Sequence, residues 1–176
     1  PRVVLYPDEL SVPRSLGKRI RQGRYEVTMN QAFDDVIRAC SRVPRPGQDG
    51  TWITRGMERT YRALHQAGLA HSVEAWSEGK LVGGLYGVAI GDVFAGESMF
   101  ANAADASKVA FVHFVRQFQR WGGRLIDCQV QTAHLERFGA RPISREAYMQ
   151  ALAEGRDRVL HSPPWTFDDD FECDGR

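Results

Sequence analysis

In the stretch Leu125-Ile126-Asp127-Cys128-Gln129 a carboxylate and a carboxamide stand two residues apart. Side chains two apart on a strand share a face, so Asp127 and Gln129 are expected to project together and Cys128 the other way. A carboxylate beside a carboxamide is equipped to accept or relay a proton, or to orient a nucleophile. A second carboxylate, Glu97, lies between Gly96 and Ser98 near the end of another candidate strand. Spacing alone also suits plainer roles, a cap or ion-pair partner for Asp127 and a surface carboxylate for Glu97. Cys128 with His113 or His134 as its base is a weaker idea, because a lone Cys in an apolar strand is usually a small buried hydrophobe. The five histidines, His65, His71, His113, His134 and His161, have no HxxxH or HExxH spacing. Cys40, Cys128 and Cys173 are an odd, widely spaced set. Neither a metal centre nor a disulfide framework is expected.

Other chemistries lack their motifs. No GxxxxGK[ST] occurs and no GxGxxG opens a helix, so nucleotide-phosphate chemistry is not supported. The acyl-CoA loop pattern has only echoes, at Gln119–Gly122 and Arg137–Gly139, where helices should end rather than begin. No cofactor is expected.

Hydrophobic periodicity supplies the elements that must position these groups. Ser15–Gln22 reads as a short helix with Leu16 and Ile20 on one side and Arg14, Lys18 and Arg21 as a cationic stripe on another. Such a stripe is either a solvated face or a phosphate contact with salt-sensitive affinity. Tyr25, Val27 and Met29 alternate as a strand, Ala32–Ser41 is helical, and Pro44–Gly50 is a loop. Thr54 suits the N-cap of a helix bearing Met57, Tyr61 and Leu64, with Gly68 at its end. Strands follow at His71–Trp76, Leu81–Ile90 and Val93–Phe100, turning at Ser77–Lys80 and at Gly91-Asp92. Gly83, Gly84 and Gly87 weaken the middle strand unless something approaches its backbone closely. Asp105 can cap a helix carrying Phe111, Phe114, Val115, Phe118 and Trp121, a stripe that spacing alone assigns to the core. Gly122-Gly123 ends it. Leu125–Val130 reads as a buried strand of parallel type, and Thr132 caps Ala133–Phe138. His161–Arg176, with two prolines and several aspartates, reads as an extended or partly disordered tail.

Hairpin, long helix, strand, helix is the order of an α+β, acetyltransferase-like (GNAT-like) core, a mixed sheet flanked by helices. The 176 residues fit one ordinary domain. With 43% apolar and 26% charged residues the composition is that of a soluble globular protein, which excludes a fibrous or disordered chain. The longest apolar stretches are too short to span a bilayer. A signal peptide is not expected, and a reducing cytoplasm is the expected compartment. The net charge of +1 hides a basic start, Arg14 to Arg24, and an acidic end, Asp168 to Asp174.

The clusters, read together, resemble the leucyl/phenylalanyl-tRNA–protein transferase family. The matching stretches are GTWIT (Gly50–Thr54), AHSVEAW (Ala70–Trp76), LVGGLYGVAIG (Leu81–Gly91), FAGESMF (Phe94–Phe100), NAADASKVAF (Asn102–Phe111) and LIDCQ (Leu125–Gln129), followed by HLERFGARPISR (His134–Arg145). The resemblance covers Pro1 to about Leu152, which defines a catalytic domain of residues 1–152 and a tail of residues 153–176. It implies a GNAT-like fold that moves Leu or Phe, and Met less readily, from tRNA to a protein whose N-terminal residue is Arg or Lys. Such tagging marks the acceptor for N-degron degradation. The resemblance further implies Asp127 as base or anchor of the acceptor ammonium, Gln129 as relay or carbonyl-orienting group, and Glu97 as a polar residue at the reacting end. Leu85, Phe94, Met99, Phe111, Phe114 and Ile126 match the family's pocket for the aminoacyl side chain. Trp52 matches the position that stacks the 3′-terminal adenosine, with Tyr61 assisting, and Arg14, Lys18 and Arg21 would face the tRNA backbone. The partners implied are Leu-tRNA or Phe-tRNA and the acceptor protein, with no membrane and a monomeric enzyme.

Family members carry a further segment rich in Trp and Pro ahead of the equivalent of Pro1, which helps hold the adenosine, so an incomplete donor site is one expectation for this chain. Two other readings share the motifs: transfer to a small peptide or metabolite, and a non-catalytic tRNA- or peptide-binding remnant.

Overall fold

A computed structural model describes residues 1–44, 49–160 and 165–176. Most of the loop expected at Pro44–Gly50, and His161 with the two prolines of the tail, lie outside the described residues. The elements run β1 (Arg2–Leu5), α1 (Arg14–Arg21), β2 (Glu26–Met29), α2 (Phe33–Ser41), α3 (Arg55–Gln66), β3 (Ala70–Ser77), β4 (Lys80–Ile90), β5 (Val93–Ala101), α4 (Ala106–Arg120), β6 (Leu125–Gln129), α5 (Ala133–Arg137), β7 (Arg141–Ile143) and α6 (Arg145–Gly155). The seven strands form one mixed sheet in the order β2-β3-β4-β5-β6-β1-β7. Every neighbouring pair is antiparallel except β5 and β6, which are parallel and joined through α4. A parallel pair needs a crossover, and the amphipathic run of α4 supplies it. The fold is thus mixed α/β.

Helices cover both faces. Val73 and Ala75 of β3 and Leu85 of β4 pack with Phe111, Phe114, Val115 and Phe118 of α4. On the other face Phe33, Val36 and Ile37 of α2 meet Tyr86 and Phe100. Alternation along β3 and β4 therefore assigns the two layers. The α2 terminus is held from the sheet. Ala32 makes no side-chain cap. Instead the buried carboxylate of Glu74 accepts from the backbone N–H of Ala32 (3.3 Å) and Gln31 (3.4 Å), and from the hydroxyls of Thr28 and Ser72. An acceptor at a helix N-terminus satisfies donors that have no partner within the helix.

The glycines of β4 answer to close approach, as the sequence suggested. A Cβ on Gly83 would lie 2.6 Å from Cβ of Ala106, at the start of α4. One on Gly87 would lie 2.3 Å from the Ala95 carbonyl oxygen and 2.5 Å from the Phe94 ring. Thr54 and Thr132 cap their helices by accepting from Met57 and Leu135 N–H. Asp105 does not. It adopts φ 60° and its side chain makes no capping bond, since it is committed to Arg19 of α1 (3.0 Å) and to Lys108 (3.4 Å). Strands β1 and β7 and helix α6 were not anticipated, and α6 runs to Gly155, past the expected boundary at residue 152.

Residues 165–176 of the tail have no helix or strand, as expected of an extended segment, and they dock on α4. Gln117 and Trp121 donate to the Asp168 carboxylate at 3.0 and 3.2 Å, and Asp168 N–H returns a bond to Gln117 Oε1 at 2.8 Å. Trp165 packs on Phe114, Phe118 and Trp121 and stacks on His71, with ring centroids 3.9 Å apart and planes within 3°. Aromatic packing supplies the apolar burial that the acidic composition of the segment concealed.

His71 is buried, and burial together with His65 lowers its pKa to about 4. Its Nδ1 accepts from the Asn30 amide at 3.0 Å, which requires the neutral ring. Because the folded value lies below the unfolded one of about 6.5, this contribution to stability is complete above pH 6.5 and is lost as pH falls towards 4. The loss amounts to about 2 kcal/mol by pH 5. Urea unfolding at pH 7 and pH 5 should show this difference in the wild type and a smaller one in His71→Gln; equal differences in both would remove His71 from the account.

Candidate active site

The site lies where β5 and β6 part. Their parallel pairing covers only Val93–Leu125, Phe94–Ile126 and Ala95–Asp127. Beyond it β5 continues as Gly96-Glu97-Ser98-Met99 along β4, while β6 continues as Cys128-Gln129 beside β1. A cavity of about 480 Å³ opens at the divergence. Leu85, Phe94, Met99, Phe111 and Ile126 form its apolar wall, with Glu97, Asp127, Thr132 and His134 among its polar lining. Phe114 is not on that wall. It is fully buried behind Phe94, with ring centroids 4.4 Å apart, and supports the wall from α4. Five of the six apolar residues named from the sequence are thus brought together and the sixth stands behind them.

At the parting of the strands, the alternation that was to align Asp127 with Gln129 breaks. Gln129 adopts φ 64°, the left-handed region that non-glycine residues seldom enter, and the β1–β6 register shifts beside it. The two side chains therefore turn to opposite neighbours. Gln129 Nε2 donates across the gap to the Gly96 carbonyl (2.8 Å) and to Glu97 Oε2 (3.2 Å), replacing the ladder bonds that the parted strands cannot make. Asp127 turns to the other side. Its carboxylate accepts from Arg2 (2.8 to 3.0 Å), from the Tyr148 hydroxyl (2.9 Å) and from Gln129 N–H (2.8 Å).

Burial, and after it the neighbouring Glu97 carboxylate, pushes the ionisation of Tyr61 well above its ordinary range. Tyr61 meets Tyr86 edge-on at 5.1 Å, and Trp52 packs against the same cluster. Tyr61 thus stands by Glu97, Trp52 belongs to the aromatic cluster around Tyr86, and neither lines the cavity. Cys128 lines the cavity, but burial and the Asp127 charge push its thiol up to about 12, so it stays protonated at neutral pH and is no nucleophile.

Arg14, Lys18 and Arg21 are exposed on the outer face of α1, whose Leu16 and Ile20 are buried. The helix approaches the cavity through a small cleft. His134 lines both the cavity and that cleft, where it meets Ser15 and Leu16 of α1.

Two residues of the site were not anticipated, Arg2 and Tyr148. The run Val3-Val4-Leu5 before Pro7 was a readable strand signal for the first. Ser144 followed by Tyr148, Ala151 and Leu152 at helical spacing was a signal for the second, and Ser144 does cap α6 by accepting from Ala147 N–H.

An apolar cavity beside a chain of hydrogen-bonded polar groups, in a gap between parallel strands, is the arrangement of a binding-site protein equipped to seat an apolar group next to polar chemistry. Comparison with known proteins narrows the class to a family. The profile of leucyl/phenylalanyl-tRNA protein transferase matches residues 4–153. The leucyl/phenylalanyl-tRNA–protein transferase of Myxococcus xanthus (strain DK1622) is 57% identical over 94% of this chain and 71% of its own length. That of Stutzerimonas stutzeri (strain A1501) is 58% identical over 90% of this chain and 70% of its own. That of Nitrosospira multiformis is 54% identical over 96% and 72%. The chain belongs to the leucyl/phenylalanyl-tRNA–protein transferase family. Among solved structures, a functionally unknown conserved protein from Staphylococcus epidermidis ATCC 12228 (TM-score 0.49, 10% identity, 80% of this chain and 56% of that one) and L-PGS from Bacillus licheniformis (TM-score 0.48, 11% identity, 87% and 50%) bear a likeness too slight to build on.

Proposed function

We propose that this protein transfers leucine or phenylalanine, and methionine less readily, from aminoacyl-tRNA to the α-amino group of a protein that begins with Arg or Lys, marking it for N-degron degradation. In this reading it works as a monomer in the cytoplasm, without a cofactor, on a GNAT-like core. Among the described residues no helix is long and apolar enough to cross a membrane. The observation that carries the proposal is the cavity, whose apolar wall adjoins Glu97 and Asp127, with Gln129 bonded to Glu97 beside it. A Leu or Phe side chain seated there brings its ester carbon to those polar groups.

The chemistry asks little of an acid or base. The ester is already activated, and an α-amino group with a pKa near 8 is partly neutral at cytoplasmic pH. Its nitrogen attacks the ester carbon, the carbon–oxygen bond to the ribose breaks, and the ribose oxygen ends with the proton that nitrogen gives up. Holding amine and ester in a reactive geometry is worth about 7–11 kcal/mol, so positioning dominates. In this scheme Asp127, its lone pairs taken by Arg2, Tyr148 and Gln129, is an anchor and not the proton acceptor. Glu97 faces the cavity and holds the acceptor ammonium; Gln129 orients the carbonyl. Trp52 and Tyr61, which pack in one aromatic cluster, take the terminal adenosine by stacking, which is tolerant of sequence. Arg14, Lys18 and Arg21 hold tRNA phosphates, since α1 borders the cleft that His134 shares with the cavity.

Incubation with radiolabelled leucyl-tRNA and an Arg-initiated peptide tests the proposal: label should pass to the peptide, and no transfer would end this reading. Replacing Arg14, Lys18 and Arg21 together by Ala should weaken tRNA binding and reduce the slope of log affinity against log salt by about 2 to 3. An unchanged slope would return the stripe to a solvated face.

A further inference from the structure

Asp127 has no exposed surface, and the groups that enclose it come from three elements. Arg2 of β1 donates Nε to both carboxylate oxygens at 3.0 Å and Nη2 to Oδ2 at 2.8 Å, a two-pronged pairing that fixes direction as well as distance. Tyr148 of α6 donates its hydroxyl to Oδ2 at 2.9 Å, and the Arg2 guanidinium lies 5.4 Å above its ring. The remaining bond leaves this cluster for the reaction centre, from Gln129 N–H to Oδ1 at 2.8 Å. Gln129 is the residue held at φ 64°, a conformation that is costly for a non-glycine residue and persists only where the surroundings impose it. In that conformation its amide spans the gap to Gly96 and Glu97.

We propose that Arg2 and Tyr148 are positioning residues of the transfer reaction, acting through Asp127 to keep Gln129 turned into the gap between β5 and β6. The inference rests on the function proposed above. Its physical content is that a carboxylate gripped from β1 and α6 cannot swing, so the one N–H it still accepts is fixed too, and with it the backbone of Gln129. Without the grip, Gln129 relaxes towards ordinary extended backbone, and its amide leaves Glu97.

Arg2→Gln and Tyr148→Phe should each lower kcat for leucyl transfer, by about thirtyfold for Arg2→Gln, within the range that small misplacements at a reaction centre produce. KM for leucyl-tRNA should stay near the wild-type value. Arg2→Lys, which keeps the charge and a donor, should recover part of the rate. The double variant Arg2→Gln/Asp127→Asn should be no slower than Asp127→Asn alone, because Arg2 acts only through that carboxylate. A wild-type kcat in Arg2→Gln, or losses that multiply in the double variant, would overturn the proposal. A second readout needs no turnover. The side-chain amide signals of Gln129 in a nitrogen–proton spectrum, assigned by their loss in Gln129→Ala, should move in Arg2→Gln and Tyr148→Phe. Unmoved signals would also overturn it, whereas a wild-type protein inactive in transfer, with the signals moving as expected, would count against the function and leave the positioning standing.

Discussion

Asp127→Asn should lower kcat for transfer from leucyl-tRNA by about a hundredfold or more, the scale on which displacement of groups at a reaction centre acts. Affinity for leucyl-tRNA should change little, because the phosphate contacts proposed for α1 would dominate it. The substitution is close to isosteric, but it replaces an acceptor by a group that is half donor. Arg2, Tyr148 and the Gln129 N–H all donate into that space, and an amide cannot accept from all of them. Arg2 loses its counter-charge, and Gln129 loses the bond that offsets its left-handed backbone. Removing one member of a buried ion pair also destabilises the fold, by about 3–5 kcal/mol where burial is complete on both sides and by less here, where Arg2 is partly exposed. Rapid-quench turnover should therefore be measured at a temperature at which both proteins melt well above the assay, alongside tRNA affinity by filter binding. Wild-type turnover in the variant would remove Asp127 from the reaction.

Met99→Trp should discriminate between donors. Met99 stands opposite Leu85 in the β4–β5 ladder, on the cavity wall, and is only partly buried. A larger ring there occupies cavity volume without overpacking the core behind it, so melting should shift little. In the proposed binding mode the ring takes up space that the larger aminoacyl side chain fills. kcat/KM should fall by about a hundredfold for phenylalanyl-tRNA and about tenfold for leucyl-tRNA, given that a single methylene misfit in an apolar pocket is worth 10- to 200-fold. Competition between the two charged tRNAs for one Arg-initiated peptide would read the ratio directly. An unchanged ratio in a folded variant would mean that the aminoacyl side chain sits elsewhere.

Much of this arrangement was legible in the chain. Local signals sufficed for α3 and α5, where Thr54 and Thr132 cap as expected, and for the β4–β5 hairpin. The apolar run at Leu125-Ile126 announced a strand buried on both faces, which β6 is. The glycines of β4 announced close approach before its source was known, since a residue without Cβ in a strand is otherwise a loss. The cap at α2 was not legible. No residue beside its first turn does the work; Glu74, some forty positions away, accepts from Gln31 and Ala32. The docking of the extended tail was not legible for a related reason, because prolines and aspartates describe a segment's own preference and not the aromatic side chains that Trp165 packs against.

At the site, residue types along the chain determined what chemistry was on offer: a carboxylate and a carboxamide two apart on β6, a carboxylate on β5, and an apolar set able to wall a pocket. These are local properties, readable wherever a period of two or 3.6 is clean. The choice between base and anchor for Asp127 turns on which donors reach it, and only tertiary structure supplied those donors. They come from β1 and α6, separated from it by 125 and 21 residues. The same packing overruled the strand alternation at Gln129, since a side-chain bond from Asp127 stabilises a backbone conformation that periodicity assumes away.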